Sequence, residues 1–369
     1  MILTLNAGSS SLKFAVFDGE TAALRGKIDT NKGRIAGSGR DAPWPHGIEA
    51  DGLHRLLDWI DAADRHAAID AVGHRVVHGG DRDGPVRIDP AVMAELEGLV
   101  ELAPLHQPHN LAAIRAVTEA RPDLPQVACF DTSFHRTMDA VASTLPLPKI
   151  LRDAGARHYG FHGLSYQFIA GRLPPRAAHV VVAHLGSGAS LCAMRDGRSV
   201  DTSMGMTALD GVMMGTRSGR LDPGAVLWML QARGMDAAAI EDTLYHHAGL
   251  LGVSGESADM RDLAVSPTDA ARLAVQMFVR SIVRETGALA SVLGGVDAFV
   301  FTAGIGENQP VLRAQVAAGL SWLGLVLDPA RNDAYRPETG PGEIGRGIWV
   351  IPTDEEAEIA RLARPLVKA

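Results

Sequence analysis

Met1-Ile-Leu-Thr-Leu-Asn-Ala-Gly-Ser-Ser-Ser-Leu-Lys-Phe-Ala-Val-Phe-Asp18 decides how this chain is read. Apolar residues run through Ile2, Leu3 and Leu5, stop at Asn6, and resume at Leu12, Phe14, Val16 and Phe17. Two β runs around the small, polar turn between them predict a hairpin. Its tip offers backbone N–H groups and the hydroxyls of Ser9, Ser10 and Ser11. Successive amides form a concavity suited to anions, so a phosphate chain is the expected ligand. Lys13 adds a point charge on the return strand, and Asn6 can present a neutral oxygen to a phosphate-bound Mg²⁺ or its waters. No Gly-x4-Gly-Lys-Ser/Thr occurs here and no helix follows, so this is not a Walker A loop. The competing reading is an ordinary serine-rich turn.

The pattern recurs half a chain later. His179-Val-Val-Val-Ala-His-Leu-Gly-Ser-Gly-Ala-Ser-Leu-Cys-Ala-Met194 again reads strand, Gly/Ser turn, strand, and aligning Gly8 with Gly186 gives an offset of 186 − 8 = 178 residues. A third strand is expected after each hairpin, at 22–28 and 198–202. Strands and helices then alternate. In the first half, residues 31–47 read as a Gly/Pro-rich surface excursion, 53–65 as a helix with Leu53, Leu56, Leu57 and Ile60 on one face, and 69–80 as a strand delivering Arg75. Helices at 90–102 and 110–120 lead into a buried strand at 126–133 that ends on Asp131. In the second half, helices are expected at 224–233, 237–247 and Asp269–Leu293. A strand from 296 runs into a glycine turn at 304–308, and a last strand at 348–353 precedes an acidic helix start. A duplicated unit of this kind implies two similar α/β domains whose tips face an inter-domain ligand cleft.

Composition narrows the function. With 369 residues, 46% hydrophobic and 21% charged, the chain has ample core for two domains of a soluble globular protein. A net charge of −8 argues against nucleic acid or a membrane surface as partner. Neither a signal peptide nor a spanning helix is expected. Cys129 and Cys192 lie in expected strands without metal spacing, which favours a reducing, cytoplasmic setting. A zinc site would need two imidazoles on one face beside a carboxylate. Neither His74 with His78 nor His246 with His247 offers that.

Asn6, Arg75, Asp131, His162, Arg217, Glu307, Asn308 and Glu355 stand at strand ends or in turns, where side chains face a cleft. Arg75 is set among Val72, Val76 and Val77, so it needs an anion, either a substrate or a neighbouring aspartate. Arg217 lies in a glycine-flanked loop with little to bury it, and His162 is held between glycines. Together these groups fit phosphoryl transfer, which requires positioning and charge neutralisation more than covalent chemistry. A carboxylate acceptor is already ionised at neutral pH and needs no general base.

These motifs resemble the acetate kinase family nearly end to end. They are Asn6-Ala-Gly-Ser-Ser-Ser-Leu-Lys13, His74-Arg-Val-Val-His-Gly-Gly80, Phe130-Asp-Thr-Ser-Phe-His135 and Tyr159-Gly-Phe-His-Gly163. Further along come His184-Leu-Gly-Ser-Gly-Ala-Ser190, Met214-Gly-Thr-Arg-Ser-Gly219, Phe301-Thr-Ala-Gly-Ile-Gly-Glu-Asn308 and Pro352-Thr-Asp-Glu-Glu356. The resemblance implies two duplicated ribonuclease H-like (actin-like ATPase) domains, residues 1–135 plus 358–369 and residues 136–357, the second carrying the nucleotide site and dimer interface. It also implies a homodimer and reversible transfer between ATP and acetate, giving acetyl phosphate and ADP. Arg75 would then hold the substrate carboxylate, and Val77, Leu105, Phe161 and Ala208 would form the acyl pocket. Arg217 and His162 would stabilise the transferring phosphoryl group while Asp131 orients an arginine, the metal or its waters. Asn6 and Glu355 would serve Mg²⁺, with Mn²⁺ as a substitute, and Lys13, Ser9 and Ser11 the nucleotide phosphates. His184, Leu185, Gly186, Ser187, Gly188, Asp259, Met260, Arg261, Gly304, Ile305, Gly306, Glu307 and Asn308 would line the ATP site.

Four positions depart from the family's usual pattern. Ser187 replaces Asn, Ala208 replaces a Pro that narrows the acyl pocket, Arg220 replaces an acid, and Asp354 replaces Asn. The alternatives are a propionate, butyrate or pyrophosphate-dependent kinase of the same fold, and an ATP-operated switch of the actin or Hsp70 kind.

Overall fold

The computed structural model describes residues 1–8, 11–30, 32–37, 39–46, 50–63, 69–175 and 177–367. Ser9 and Ser10, at the tip of the first hairpin, lie outside the described residues, as does residue 65, the expected end of the first helix. The chain divides into two compact units. Unit 1 comprises Met1–Arg136, Gly163–Phe168 and Asp354–Ala369; unit 2 comprises Thr137–His162 and Ile169–Thr353.

Unit 1 is built on a mixed eight-stranded sheet. Its strands are β1 (Ile2–Ala7), β2 (Ser11–Asp18), β3 (Thr21–Asp29), β4 (Arg34–Gly37), β5 (Arg40–Pro43), β6 (Ala71–Val76), β7 (Val86–Arg87) and β8 (Gln126–Phe130), in the order 5-4-3-2-1-6-8-7. β1, β2 and β3 pair antiparallel, whereas β1, β6 and β8 run parallel. Strand alternation sorts the side chains by face. Leu3, Leu5, Phe14, Val16 and Val72 pack with Leu53, Leu56 and Ile60 of the helix Ala50–Ala63 and with Val117 of the helix Gln107–Ala120. Ile2, Ala15, Phe17, Val127 and Cys129 pack on the other face against Ile359, Ala360 and Ala363 of the helix Glu355–Val367. Within the expected surface excursion at 31–47, Arg34–Gly37 and Arg40–Pro43 instead pair as β4 and β5, while residues 31, 38 and 47 lie outside the described residues. Ile35 and Trp44 bury into the core, and Arg34 bonds Asp41 across the strands, so these residues extend the sheet.

Unit 2 repeats the plan on seven strands: β9 (His179–Leu185), β10 (Ala189–Arg195), β11 (Arg198–Thr202), β12 (Ala298–Thr302), β13 (Val326–Leu327), β14 (Gly342–Arg346) and β15 (Ile348–Val350). The order is 11-10-9-12-15-14-13, with β9, β12 and β15 parallel and the first three strands antiparallel. The sequence β3-β2-β1-β6-β8 is thus matched by β11-β10-β9-β12-β15, which is the duplication expected from the two Gly/Ser turns. The presumed glycine turn after β12 is a short helix, Ala303–Asn308. Buried Arg313 donates to the carbonyls of Gly306 and Glu307 and so supports a glycine-rich turn of low helix propensity. Among the described residues, no helix is long and apolar enough to cross a membrane.

Two buried histidines set an acid limit on unit 1. His74 donates from Nε2 to Gln126 Oε1 at 2.8 Å, and the Nδ1 of His78 accepts from the Gly80 N–H at 3.0 Å. Burial pushes both pKa values down to about 4. Between that value and the unfolded value near 6.5, the unfolded chain binds more protons, so stability falls as pH drops through this window. For His74 the loss reaches about 3 kcal/mol. Denaturant midpoints measured from pH 7 to pH 4 are expected to fall, and the slope is expected to be shallower in His74→Asn. An unchanged slope would show that His74 does not drive it.

Candidate active site

In unit 1, register and alternation bring the expected residues together. Asn6 and Arg75 are the penultimate residues of β1 and β6 and Asp131 follows β8, all at the carboxyl ends of adjacent parallel strands and on the face covered by the helix Glu355–Val367. Arg75 donates from Nε and Nη2 to Asp131 Oδ2 at 2.9 and 2.6 Å, and from Nη1 to Asn6 Oδ1 at 3.2 Å. An arginine has five N–H groups, so two remain for a ligand. The Arg75 side chain is 19% exposed and Asp131 1%, so the pair is buried but reachable from the arginine side. The anion that Arg75 meets in the structure is the aspartate, and two of its N–H groups have no partner among the described residues.

Asn6 Nδ2 donates to Glu355 Oε2 at 2.9 Å and Glu356 Oε1 at 3.2 Å. Both carboxylates sit in the first turn of their helix, where the macrodipole favours negative charge. Burial opposes the Arg75 charge, but Asp131 and then Glu355 outweigh it and hold the guanidinium pKa above its ordinary value. Burial, with help from Glu355, pushes Asp131 up against the pull of Arg75, and pushes Glu356 up against Lys13. Three carboxylates thus share Arg75 and Lys13. Asp131 Oδ1 is buried with no hydrogen-bond partner among the described residues. An excess of hard anionic oxygens fits a divalent cation such as Mg²⁺, which keeps waters and takes only one or two carboxylates from a protein. Among the described residues, no group of three or more His, Cys, Asp or Glu is arranged to hold a metal ion. Asp354 is committed elsewhere, paired with Arg25 and accepting from the Ala357 N–H.

Unit 2 holds a second cluster. His162 has φ 58°, unusual for a non-glycine residue, and its Nδ1 lies 2.8 Å from Ser190 Oγ. The imidazole stacks on that of His184, with centroids 4.2 Å apart and planes at 14°. The loop carrying Arg217 is more constrained than its glycines suggested, because Ala248, Leu250 and Leu251 N–H groups bond back to Thr216, Met214 and Gly215. Arg217 Nη1 donates to the Ala208 carbonyl at 2.7 Å. A Cβ added to Gly188 would lie 3.0 Å from Arg217 Nη2 and 3.4 Å from His162 Nε2. Only glycine leaves that space open, and two side-chain nitrogens converge on it.

The turn after β9, the short helix after β12 and residues 258–261 line a cavity of about 710 Å³. Of the residues expected there, Gly186, Ser187, Asp259, Met260, Arg261, Gly304, Ile305 and Asn308 line it, joined by Ala258 and Gln309. Asp259 caps the helix Met260–Val265 and pairs with the Arg261 guanidinium. The others of the expected set do not line this cavity. His184 stacks on His162, Leu185 is buried in β9, Gly188 faces Arg217, the Gly306 carbonyl meets Arg313, and Glu307 Oε1 accepts from the Thr353 N–H. Lys13 and Ser11 belong to β2 in unit 1, Lys13 beside Asn6 in register. Val77 is buried and Leu105 half-buried in unit 1, while buried Phe161 and half-buried Ala208 belong to unit 2. Sequence reasoning missed Glu356, Ser190, Ala258 and Gln309. Glu356 and Ser190 lie within quoted motifs, Gln309 adjoins one and Ala258 adjoins the expected residue Asp259, so proximity was the available signal.

The family model described as the acetokinase family matches residues 1–361. The chain belongs to the acetokinase family. An acetate kinase of Rhodopseudomonas palustris is 48% identical over 388 residues, covering 98% of this chain and 97% of the relative. Among solved structures, Porphyromonas gingivalis acetate kinase has a TM-score of 0.87 at 34% identity, with 99% of both chains covered. A propionate kinase from Francisella tularensis has a TM-score of 0.90 at 34% identity, with 98% of both covered. The acetokinase assignment makes this chain a phosphotransferase, and its two mixed α/β sheets agree with those structures.

Proposed function

We propose that this chain is an acetate kinase, transferring the γ-phosphoryl group of ATP to acetate and back. The observation that carries the reading is the convergence of Arg217 Nη2 and His162 Nε2 on the space over Gly188. In unit 1, Arg75, steadied by Asp131, holds the acetate carboxylate. One acetate oxygen attacks the γ-phosphorus as the bond to the β,γ-bridging oxygen breaks, and ADP leaves with that electron pair. Acetate arrives ionised, so no proton has to be removed. Arg217 and His162 donate to the equatorial oxygens as charge spreads over them. The adenosine part occupies the cavity lined by Gly186, Arg261 and Ile305. Glu355 and Asn6, with the spare oxygen of Asp131, would hold Mg²⁺ or its waters, and the ion when bound neutralises charge on the β- and γ-phosphates. Transfer requires acid and phosphoryl group to be brought together with water excluded, so domain closure is expected to accompany turnover. The deciding assay is acetate- and ATP-dependent acyl phosphate, trapped with hydroxylamine. Acetate-independent ATP hydrolysis without trapped product would favour an ATP-operated switch instead.

A homodimer is part of this reading. The helix Pro223–Ala232 buries none of its residues although it is apolar nearly throughout, with Leu227, Trp228 and Leu230 exposed; Leu273 and Met277 are exposed on the helix Asp269–Leu293. A second copy of the chain would cover such a surface, and sedimentation equilibrium reads it directly. The two buried free cysteines suit a reducing, cytoplasmic setting.

Ala208 bears on the acceptor. Alanine keeps the backbone carbonyl that anchors Arg217 while removing ring atoms from the acyl side. One methylene is worth only about 1–3 kcal/mol in such a pocket. Propionate is therefore expected to reach a kcat/KM within about 10-fold of that for acetate. A preference for acetate above about 100-fold would end this idea.

A further inference from the structure

The seat of His162 is built by one cross-strand pair. Ser190 in β10 lies opposite His184 in β9, so their side chains stand side by side on the same face. His162 uses both, stacking its ring on His184 and meeting Ser190 Oγ with Nδ1 at 2.8 Å. Both seat residues are buried, Ser190 at 0% and His184 at 8% exposure. The backbone at His162 is held at φ 58°, a region that costs a β-carbon residue free energy. Such strain needs support from its surroundings, and here it sets a ring nitrogen at a fixed place. That nitrogen is Nε2, aimed at the space over Gly188 that Arg217 Nη2 also reaches.

A neutral imidazole carries one N–H, and the hydrogen bond at one nitrogen decides which side it occupies. We propose that Ser190 is a positioning residue for His162. Its hydroxyl donates to Nδ1, which keeps the proton on Nε2 as a donor towards the transferring phosphoryl oxygens. The inference rests on the phosphotransfer reading of the same site and adds the source of His162's orientation. Ser190 touches neither substrate in this scheme, and it acts only through the ring.

Partners that fix a functional imidazole typically matter by about 10- to 100-fold. Ser190→Ala is therefore expected to lower kcat by about 10- to 100-fold while KM for ATP and acetate moves by less than about 3-fold. Ser190→Thr, which keeps the hydroxyl, is expected to recover most of the loss. In a His162→Ala background, Ser190→Ala is expected to change kcat by less than about 2-fold, because there is no ring left to position. An equal loss in both backgrounds would overturn the inference in favour of a structural role for Ser190, and an unchanged kcat in Ser190→Ala would overturn it outright. Histidine-selective ¹⁵N spectra read the same question without turnover. Nδ1 of His162 should resonate as an unprotonated, hydrogen-bonded nitrogen in the parent chain and should shift in Ser190→Ala. A protonated Nδ1 in the parent would refute the assignment. Absence of acyl phosphate from the parent chain would defeat the kinase reading instead, leaving the spectra to decide the seat.

Discussion

Arg217→Ala is expected to lower kcat by about 10³–10⁵ while the protein still folds. An arginine that meets charge developing on a transferring phosphoryl group supplies roughly 4–7 kcal/mol of transition-state stabilisation. The guanidinium is placed for that task. One end is tied to the Ala208 carbonyl, and the other reaches the space kept open by Gly188, where His162 Nε2 also points. Arg217 Nη1 donates to a backbone carbonyl, and losing such a bond costs about 1 kcal/mol. The loop itself is held by backbone bonds to residues 248–251, which alanine leaves in place. Thermal unfolding should therefore move by only a few degrees, and kcat should collapse. Arg217→Lys should fall nearly as far, since a point charge does not reproduce a planar fork. A variant of either kind with near-normal kcat would show that the phosphoryl group is stabilised by other residues.

How much of this could be read from sequence depends on whether the signal is local. The first hairpin and its repeat were legible because strand, Gly/Ser turn and strand lie within twenty residues. Repetition of the order around Gly8 and Gly186 then implied two like sheets, as β1 and β9 show. Asp131 was legible as a carboxylate ending an apolar strand. Its bond to Arg75 joins residues 56 apart, and the sequence left open whether Arg75 met an aspartate or a ligand. The β4–β5 hairpin was read as loop because its strands are four residues each, set in a stretch rich in glycine and proline; burial of Ile35 and Trp44 is a tertiary effect that outweighs composition. The helix Ala303–Asn308 was hidden for a similar reason. Two glycines argue against it locally, and Arg313 supports it from outside the segment. Ser190 and Glu356 stood inside motifs already noticed. What marks them out is a partner 28 residues away for Ser190 and 350 away for Glu356.

Arg75→Ala is expected to reduce kcat/KM for the acid by about 10³ or more, with a raised KM for acetate, and to make stability depend on pH in a new way. Removing one preorganised donor to a charged group costs about 10²–10³ in rate, and Arg75 offers two N–H groups beyond those held by Asp131 and Asn6. The stability effect follows from what is left behind. Burial and Glu355 already push the Asp131 pKa upward; without the guanidinium only a backbone N–H, that of Leu164, still opposes them. Breaking a buried ion pair from one side costs about 3–5 kcal/mol. Here the orphaned carboxyl can escape part of that cost by taking a proton. Its folded pKa then lies further above the unfolded value near 3.9, so the folded variant binds the extra proton and is favoured at low pH. The deficit relative to the parent chain should therefore be largest near pH 8 and shrink as pH falls towards 5. Urea midpoints of both proteins across that range check it, and a deficit that stays constant would mean that Asp131 is not the group left uncompensated.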